Sequence, residues 1–382
     1  METSIMKNKY SLSELIAYFL KLGTIGFGGP VALIGYMHRD LVEQRKWITE
    51  DDYKEGLALS QLAPGPLAAQ LAIYLGYVDY KIIGATLAGV VFVLPSFIMV
   101  LALGYAYVQY GGLPWMQSIF YGVGAAVIGI IAISSYKLTK KTIGKDWLLW
   151  IIFLVLAVTT FLTEHENIWL IMAAGFLVWF YRSTPAFKHN SQNLIIYPFL
   201  LQISTSFTFD EKLTNIWWFF LKAGAFVFGS GLAIVPFLYG GLVKEYQWLN
   251  EQQFIDAVAV AMITPGPVVI TVGFIGYLIA GLPGAAVAAL ATFLPCYLFT
   301  IIPAPYFKKY GKKPGIKAFV DGVTAAAIGA IAGAVIILAK RQFVDITSIA
   351  IAIGTILILL RFKVHEPLII IAAALLGLLI GV

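Results

Sequence analysis

Charge and cysteine are both scarce in this chain. Only 12% of its 382 residues are charged, whereas an ordinary soluble domain carries about 25%. Sixty per cent are hydrophobic, and the mean hydropathy is +0.86. A single cysteine, Cys296, excludes an intramolecular disulfide and is expected to be a small buried hydrophobe. The four histidines show no metal-ligand spacing, so no metal site is predicted.

Motifs for catalysis and nucleotide binding are also missing from the sequence. No Walker-type phosphate loop occurs, and Gly26-x-Gly28 neither opens a dinucleotide fingerprint nor precedes a βαβ unit. We therefore expect no enzyme activity and no cofactor. The net charge of +6 lies in loops, where it is interpreted as an orientation signal rather than a nucleic-acid surface. The acidic residues Glu50–Asp52 and Glu55 are interpreted as a solvated helix face in preference to a proton site.

Long apolar segments are what the chain has in abundance. Ile82–Tyr107, Leu113–Tyr136 and Ala350–Leu360 contain no charge and are apolar on every face. Such segments are typical of membrane helices rather than of amphipathic core helices. The start of the chain lacks the cleavage pattern of a signal peptide. The sequence therefore predicts an all-α polytopic protein that crosses the cell membrane several times.

The second half of the chain repeats the first. Residues 19–66 align without a gap to 220–267, with identity at 15 of 48 positions at an offset of 201. Residues 76–129 align to 276–329, with identity at 16 of 54 positions at an offset of 200. Two apolar units interrupted by glycine and proline are typical of transporters built from structural repeats. We predict repeats over 11–181 and 215–382, joined by a linker over 182–214.

The lysine distribution predicts that the two repeats are inverted. Lys137–Asp146 has four lysines and one aspartate, and Pro305–Lys317 has five lysines and no acidic residue, so both loops should be cytoplasmic. Tyr105–Gln117, the counterpart of the second loop, has no charge. Corresponding loops thus belong on opposite sides of the membrane. Inversion requires an odd number of crossings before the second repeat, and we expect a crossing in the uncharged linker segment Asn193–Phe209.

The breaks in the apolar segments are the predicted location of a ligand site. Each unit has a glycine-rich break, starting at Gly26 in the first, and a Pro-Gly-Pro turn, at 64–66 and 265–267. Inside a bilayer, irregular backbone persists only where it is buried in protein or lines a cavity. Helices that restart after such breaks present amide groups that favour an anion. A kink or tight helix packing is the alternative interpretation of each break.

Polar side chains near the breaks complete the predicted site. Lys21 and Lys222 recur within apolar helices, and each either attracts an anion or snorkels to the interface. Uncharged polar side chains also flank the Pro-Gly-Pro turns: Gln61 and Gln70 in the first repeat, Thr264 and Thr271 in the second. They either bind ligand oxygens or form hydrogen bonds with the broken backbone. The predicted substrate-binding residues are Lys21, Gly28, Gly29, Gln61, Pro64, Gly65, Pro66, Gln70, Lys222, Gly229, Ser230, Gly231, Thr264, Pro265, Gly266, Pro267 and Thr271.

Four motifs in the first half carry a family resemblance. Gly26–Pro30, Trp47–Glu50, Leu59–Pro66 and Gln70–Tyr77 resemble the signature of the chromate ion transporter family, and the second half is similar to that family's other domain. The resemblance implies a long-chain form with two fused homologous domains. The Gly/Pro motifs themselves predict broken or re-entrant helices within each domain. The resemblance also implies export of chromate from the cytoplasm, driven by the membrane potential or an ion gradient.

The combined prediction is a secondary transporter of tetrahedral oxyanions with two inverted repeats. A transporter or channel for sulfate or another anion is the main alternative. A membrane-embedded enzyme would need a catalytic constellation, and a non-transporting subunit would need a partner. The expected partners are a chromate-like or sulfate-like oxyanion and the lipid bilayer, and no nucleic acid is expected. The sequence is compatible with a homodimer.

Overall fold

The regular structure of the chain is helical wherever it is described. The computed structural model describes residues 10–26, 29–110, 114–163, 168–183, 210–227, 234–310, 314–343, 345–362, 364 and 366–380. Within these ranges, four segments are long and apolar enough to cross a membrane: Leu67–Tyr110, Trp115–Lys137, Val268–Phe307 and Pro314–Lys340. The prediction of an all-α polytopic membrane protein is confirmed.

The helices follow the same order in both halves, except that the counterpart of the end of the first half's fourth helix is a separate helix, Ala304–Tyr310, in the second half. The first repeat contains α1 (Leu12–Ile25), α2 (Gly29–Met37), α3 (Glu50–Leu62), α4 (Leu67–Tyr110), α5 (Pro114–Thr142), α6 (Trp147–Thr163) and α7 (Ile168–Arg182). The second contains α8 (Glu211–Ala225), α9 (Val235–Tyr239), α10 (Glu251–Ile263), α11 (Thr271–Ile301), α12 (Ala304–Tyr310), α13 (Pro314–Gln342), α14 (Ile346–Arg361) and α15 (Glu366–Ile380). Helices α2 and α9 each continue into a π-helical segment, over His38–Gln44 and Gly240–Glu245.

Helix α4 reverses direction at Lys81, whose φ of 51° lies in the left-handed region. The reversal divides it into a short arm (67–80) and a long arm (82–110). The two arms pack antiparallel, because Gly76 lies directly against Gly84. A side chain at either glycine would collide with the other arm, so close packing requires glycine at both positions.

Helix α11 contains the same reversal, at Gly281 with a φ of 60°. Its short arm (271–279) packs on its long arm (282–301), with Gly276 against Gly284. The repeated tight turn therefore has a repeated structural cause, which is the pair of glycines at its base.

The first four helices form two re-entrant hairpins. The ring of Tyr10, before α1, stacks on Trp47, after α2, with centroids 4.7 Å apart. The chain therefore enters along α1, breaks after Gly26 and returns to the end at which it began. In the second hairpin, α3 runs back along the short arm of α4, with Gly56 against Tyr74. The first Pro-Gly-Pro turn is the tip of this second hairpin.

The second repeat contains the same two hairpins. Phe219 of α8 packs edge-on against Trp248, which follows α9, with centroids 5.9 Å apart. Thr271, at the start of α11, donates a hydrogen bond to the Ala257 carbonyl of α10 at 2.7 Å. The second Pro-Gly-Pro turn is therefore also the tip of a re-entrant hairpin.

Contacts between α4 and α11 show that the repeats are inverted. Gly273 lies against Val100, and Tyr277 lies against Gly104, so the short arm of α11 runs parallel to the long arm of α4. The short arm of α4 runs antiparallel to that same long arm. The two short arms thus point in opposite directions, and the hairpins of each repeat enter from opposite ends of the molecule. The predicted inversion is confirmed.

The two lysine-rich loops lie at the same end of the molecule. Following the directions of α4, α5 and α11, Lys137–Asp146 and Pro305–Lys317 both emerge where the first repeat's hairpins enter; we call this the lysine-rich end. At this end Arg182 of α7 forms one ion pair with Asp146 and a second ion pair, at 2.8 Å, with Asp321 of α13. Asp345, bonded to the Tyr121 hydroxyl, lies at the opposite end. The shared position agrees with the expectation that both loops face the cytoplasm.

The linker joins the two ends of the molecule. Ser183 follows Arg182 at the lysine-rich end, whereas α8 begins at the opposite end after Asp210. The segment 193–209, for which a crossing was predicted, lies outside the described residues.

The two repeats also exchange their last helices. Gly122 of α5 packs against Ala373 of α15, and Gly329 of α13 packs against Phe153 of α6. Each repeat's central helix is therefore covered by terminal helices of the other repeat. This exchange ties the two halves together around the hairpin tips.

Candidate functional site

The tips of the hairpins meet through a reciprocal pair of hydrogen bonds. The Gly65 amide donates to the Val227 carbonyl at 2.5 Å, and the Gly266 amide donates to the Gly26 carbonyl at 3.0 Å. The two hydrogen bonds are equivalent under the repeat, because the two donors are 201 residues apart in the sequence and so are the two acceptors. Each Pro-Gly-Pro turn thus docks on the broken first helix of the other repeat. The two predicted kinds of break lie together.

The amides that restart the helices are the backbone donors that these breaks leave unpaired among the described residues. In α4 the first intrahelical bond runs from the Gln70 amide to the Pro66 carbonyl at 3.0 Å. The three preceding amides, at 67–69, have no hydrogen-bond partner among the described residues. In the second repeat the same holds for 268–269, before the Ile270 amide bonds to Pro267. Such amides carry a partial positive charge at a helix start.

The glycines of the turns face protein rather than a ligand space. Gly65 has a φ of 143° and Gly266 a φ of 88°. A Cβ atom at Gly65 would lie 2.7 Å from the side-chain amide carbon of Gln70 and 3.2 Å from the Cβ of Cys296. A Cβ atom at Gly266 would collide with the Ser96 hydroxyl. The two glycines are therefore closely packed against protein, and contact between their backbone and a ligand stays a prediction.

The polar side chains beside the turns satisfy the broken backbone. Gln70 is fully buried, and its Nε2 donates to the Pro64 carbonyl at 2.8 Å. Its Oε1 is buried with no hydrogen-bond partner among the described residues. Thr271 donates to the Ala257 carbonyl, and Thr264 donates to carbonyls of its own helix at 3.2 Å. Their hydroxyl protons are already engaged, whereas Gln70 keeps an unpaired acceptor.

Ser96 belongs to this site, although the sequence reasoning missed it. Its Oγ donates to the Pro265 carbonyl at 2.7 Å, so the long arm of α4 holds the second Pro-Gly-Pro turn. Its counterpart is Cys296, which is buried beside Gly65. The signal available in the sequence was the repeated proline that precedes each of these residues.

Lys21, Lys222 and Gln61 lie on exposed faces of their helices. No ion pair to either lysine occurs among the described residues. Lys21 is eleven residues along the chain from Tyr10, or about 16 Å at the helical rise, so it lies deep along the molecule. Contact between these side chains and an anion stays a prediction.

Part of the predicted set lies outside the described residues: Gly28, Gly229, Ser230 and Gly231. Gly29 begins α2 and therefore lies at the restart of a broken helix. Among the described residues, no group of three or more histidine, cysteine or acidic side chains could hold a metal ion.

A buried carboxylate near the second turn is a further group that the sequence reasoning missed. Asp256 is 3% exposed and accepts hydrogen bonds from the Tyr107 hydroxyl at 2.7 Å and Gln252 Nε2 at 2.8 Å. It is the repeat counterpart of Glu55, which is half-buried and bonded to Tyr74. The signal in the sequence was this offset of 201, which places an acid inside the apolar helix α10.

Comparison with known proteins agrees with this architecture. The family model described as "Chromate transporter" matches twice, over residues 13–179 and 214–378. The chain is 69% identical to the "Chromate transport protein" of Cupriavidus metallidurans, covering 97% of this chain and 93% of that protein. It is 60% identical to the "Probable chromate transport protein" of Synechococcus elongatus, covering 97% of this chain and 96% of the relative.

A half-length relative matches the repeat organisation. The "Uncharacterized transporter YwrA" of Bacillus subtilis is 31% identical over 41% of this chain and 91% of its own length. No solved structure matches the chain. The two family-model matches cover nearly the whole of both repeats, and the predicted resemblance is confirmed. This chain belongs to the chromate transporter family.

Proposed function

We propose that the protein is a secondary transporter that exports chromate across the cell membrane, with the anion held where the two Pro-Gly-Pro turns meet. The reciprocal docking of Gly65 on Val227 and of Gly266 on Gly26 carries the proposal. The names of two similar relatives, both described as chromate transport proteins, support chromate as the substrate.

The arrangement of helix starts suits a tetrahedral anion. Free amides at 67–69 and 268–269 approach the meeting point from opposite ends of the molecule, and each helix start carries a partial positive charge. Paired half-helix N-termini at a repeat interface are a known way to bind an anionic group without a buried lysine. The unpaired Oε1 of Gln70 is an acceptor for a water or a protonated ligand oxygen.

Inversion of the repeats gives a route for alternating access. The two hairpins enter from opposite ends, and the tip of each is hydrogen-bonded to the other repeat: the first turn through Gly65, and the second through Gly266 and the Pro265 carbonyl. Movement that separates Gly65 from Val227 exposes the site to one end, and movement that separates Gly266 from Gly26 exposes it to the other.

The membrane potential favours export of the anion. Since the lysine-rich end is expected to face the cytoplasm, the potential is negative at that end. A dianion that leaves the cell gains about 4.6 kcal/mol per 100 mV. An ion gradient is a second source of energy, and the two act together in an exchange cycle.

Reconstitution in liposomes tests the proposal. With an imposed potential that is positive inside, we expect saturable chromate accumulation, reduced by added sulfate to a degree that measures selectivity. Protein-free liposomes provide the control. Non-saturating anion conductance would identify a channel instead, and an absence of chromate movement would refute the proposed function.

A further inference from the structure

We propose that Asp256 is a proton-binding residue, loaded from the end opposite the lysine-rich end, and that its protonation is coupled to passage of the anion. The inference rests on the proposed function and adds the identity of the coupling ion and of the group that carries it. One proton would enter the cell for each turnover that exports an oxyanion. The carboxylate takes up the proton on one side and releases it on the other, so the step needs no further reactant.

The surroundings of Asp256 are suited to reversible protonation. The side chain is 3% exposed, and its only hydrogen-bond partners among the described residues are the neutral groups of Tyr107 and Gln252. No cation pairs with it in the part of the chain that the structure describes. A buried carboxylate without a counter-ion is costly, and proton uptake removes that cost.

The helices packed around α10 bring no charge to this carboxylate. From α4, Tyr107 is the titratable group that faces it. Helix α11 has no Asp, Glu, Lys or Arg, and the charged residues of α5 are lysines near its last turn, at the lysine-rich end. The charged residue of α15 is Glu366, at its first position and also at the lysine-rich end. On α10 itself, Glu251 faces Tyr239 and Lys244.

The hydrogen bond to Tyr107 links the two repeats. Tyr107 lies on the long arm of α4 in the first repeat, whereas Asp256 lies in a re-entrant hairpin of the second. A hydroxyl donates a stronger hydrogen bond to a charged carboxylate than to a neutral acid, so protonation of Asp256 weakens this link. The neighbouring carbonyl, at Ala257, holds Thr271 at the start of α11. Weakening of the Tyr107–Asp256 hydrogen bond is thereby transmitted, through the Ala257–Thr271 hydrogen bond, to the second Pro-Gly-Pro turn.

The Tyr107 hydrogen bond has no equivalent in the first repeat, because the counterpart of Tyr107 at an offset of 200 is Phe307, which has no hydroxyl. Glu55 is bonded to Tyr74, and both residues belong to the hairpin formed by α3 and the short arm of α4. The difference singles out Asp256 as the coupling group and makes Glu55 its matched control.

A short path connects Asp256 to water. Gln252 lies one helical turn before it on α10, and its exposed side chain donates to Asp256 Oδ1. Helix α10 enters from the end opposite the lysine-rich end. Protons therefore reach the carboxylate from that end without crossing the anion site.

Reconstituted full-length protein separates the proposal from the proposed function. Three signals are recorded. They are chromate accumulation driven by a pH gradient, the rise in internal pH that proton exit causes during chromate uptake, reported by a trapped dye, and chromate counterflow without a gradient. In Asp256→Asn we expect the first two to fall to the level of protein-free liposomes while counterflow persists. Glu55→Gln should keep all three signals.

Each contrary outcome has a distinct meaning. Wild-type responses to the pH gradient in Asp256→Asn, or their loss in Glu55→Gln alone, would overturn the assignment. Loss of counterflow together with proton movement in Asp256→Asn would reduce the residue to a structural role and would also overturn it. If the wild-type protein moves chromate without protons, this inference fails and the proposed function stands. If the wild-type protein moves no chromate, the proposed function fails.

A second variant tests the same idea without removing the carboxylate. Tyr107→Phe removes the hydroxyl that stabilises the charged form of Asp256, so the pH dependence of transport should move to higher pH. The ring and its packing against Phe120 and Phe274 are retained. An unshifted pH profile in a transport-competent Tyr107→Phe protein would contradict the proposal.

Discussion

Replacement of Gly266 by alanine tests how tightly the second Pro-Gly-Pro turn is docked. A side chain at its φ of 88° introduces backbone strain of about 1–2 kcal/mol. The new Cβ also collides with Ser96 Oγ, which is held by the Pro265 carbonyl, and overpacking of this kind costs about 1–3 kcal/mol. We therefore expect Gly266→Ala to lower the free energy of unfolding by about 2–5 kcal/mol.

Gly144 provides a matched control for the backbone strain. Its φ is 54°, yet a Cβ atom there would meet nothing within 4 Å. Gly144→Ala should thus show the strain of about 1–2 kcal/mol without the collision. Thermal unfolding of the purified variants in detergent should rank wild type above Gly144→Ala and Gly144→Ala above Gly266→Ala.

A double variant identifies the collision partner. Ser96→Ala alone loses one hydrogen bond, worth about 1 kcal/mol, but it makes room for a Cβ at Gly266. In Gly266→Ala combined with Ser96→Ala, the two effects should be less than additive, with a coupling energy of about 0.5–3 kcal/mol. Strict additivity, or a Gly266→Ala protein as stable as Gly144→Ala, would refute the docking geometry.

Three further predictions concern the site and the topology. Gln70→Glu should abolish chromate binding, measured by calorimetry, because it buries a negative charge beside the first turn. The neutral variant Gln70→Met should bind chromate more tightly than Gln70→Glu does. Equal chromate affinities of the two variants would place the binding site elsewhere. Single cysteines replacing Lys145 and Asp210, both exposed, should be labelled by an impermeant thiol reagent from opposite sides of the membrane, and labelling from one side would sink the inverted topology. Lys21→Ala and Lys222→Ala should weaken transport while membrane yield is kept; unchanged transport in both would support snorkelling.

Local features were predictable from sequence because neighbouring residues determine them. Ser11 and Glu14 form a capping box at the start of α1, and their spacing of three residues in the sequence is sufficient to predict it. The reversal at Lys81, by contrast, could not be predicted, because this residue adopts a positive φ without being glycine. That turn depends on Gly76 and Gly84 of the packed arms, a contact with no local signature.

The motifs of the candidate site could be predicted from the sequence, but the hydrogen bonds that join them across the two repeats could not. The repeat identified both kinds of break, yet the docking of Gly65 on Val227 depends on the inverted arrangement in space. The restart amides are unpaired among the described residues, as a binding role requires, and their contact with an anion stays a prediction, whereas the turn glycines are packed against protein. Asp256 was overlooked because Glu55, its counterpart, was interpreted with the exposed acids Glu50 and Asp51.

The position of bound chromate tests the central claim most directly. Crystals of the protein soaked with chromate and measured at the chromium absorption edge give an anomalous difference peak at the anion itself. We predict a peak between the two Pro-Gly-Pro turns, within hydrogen-bond reach of the amides at 67–69 or 268–269. A peak on the exposed face beside Lys21 or Lys222, with none between the turns, would contradict the account.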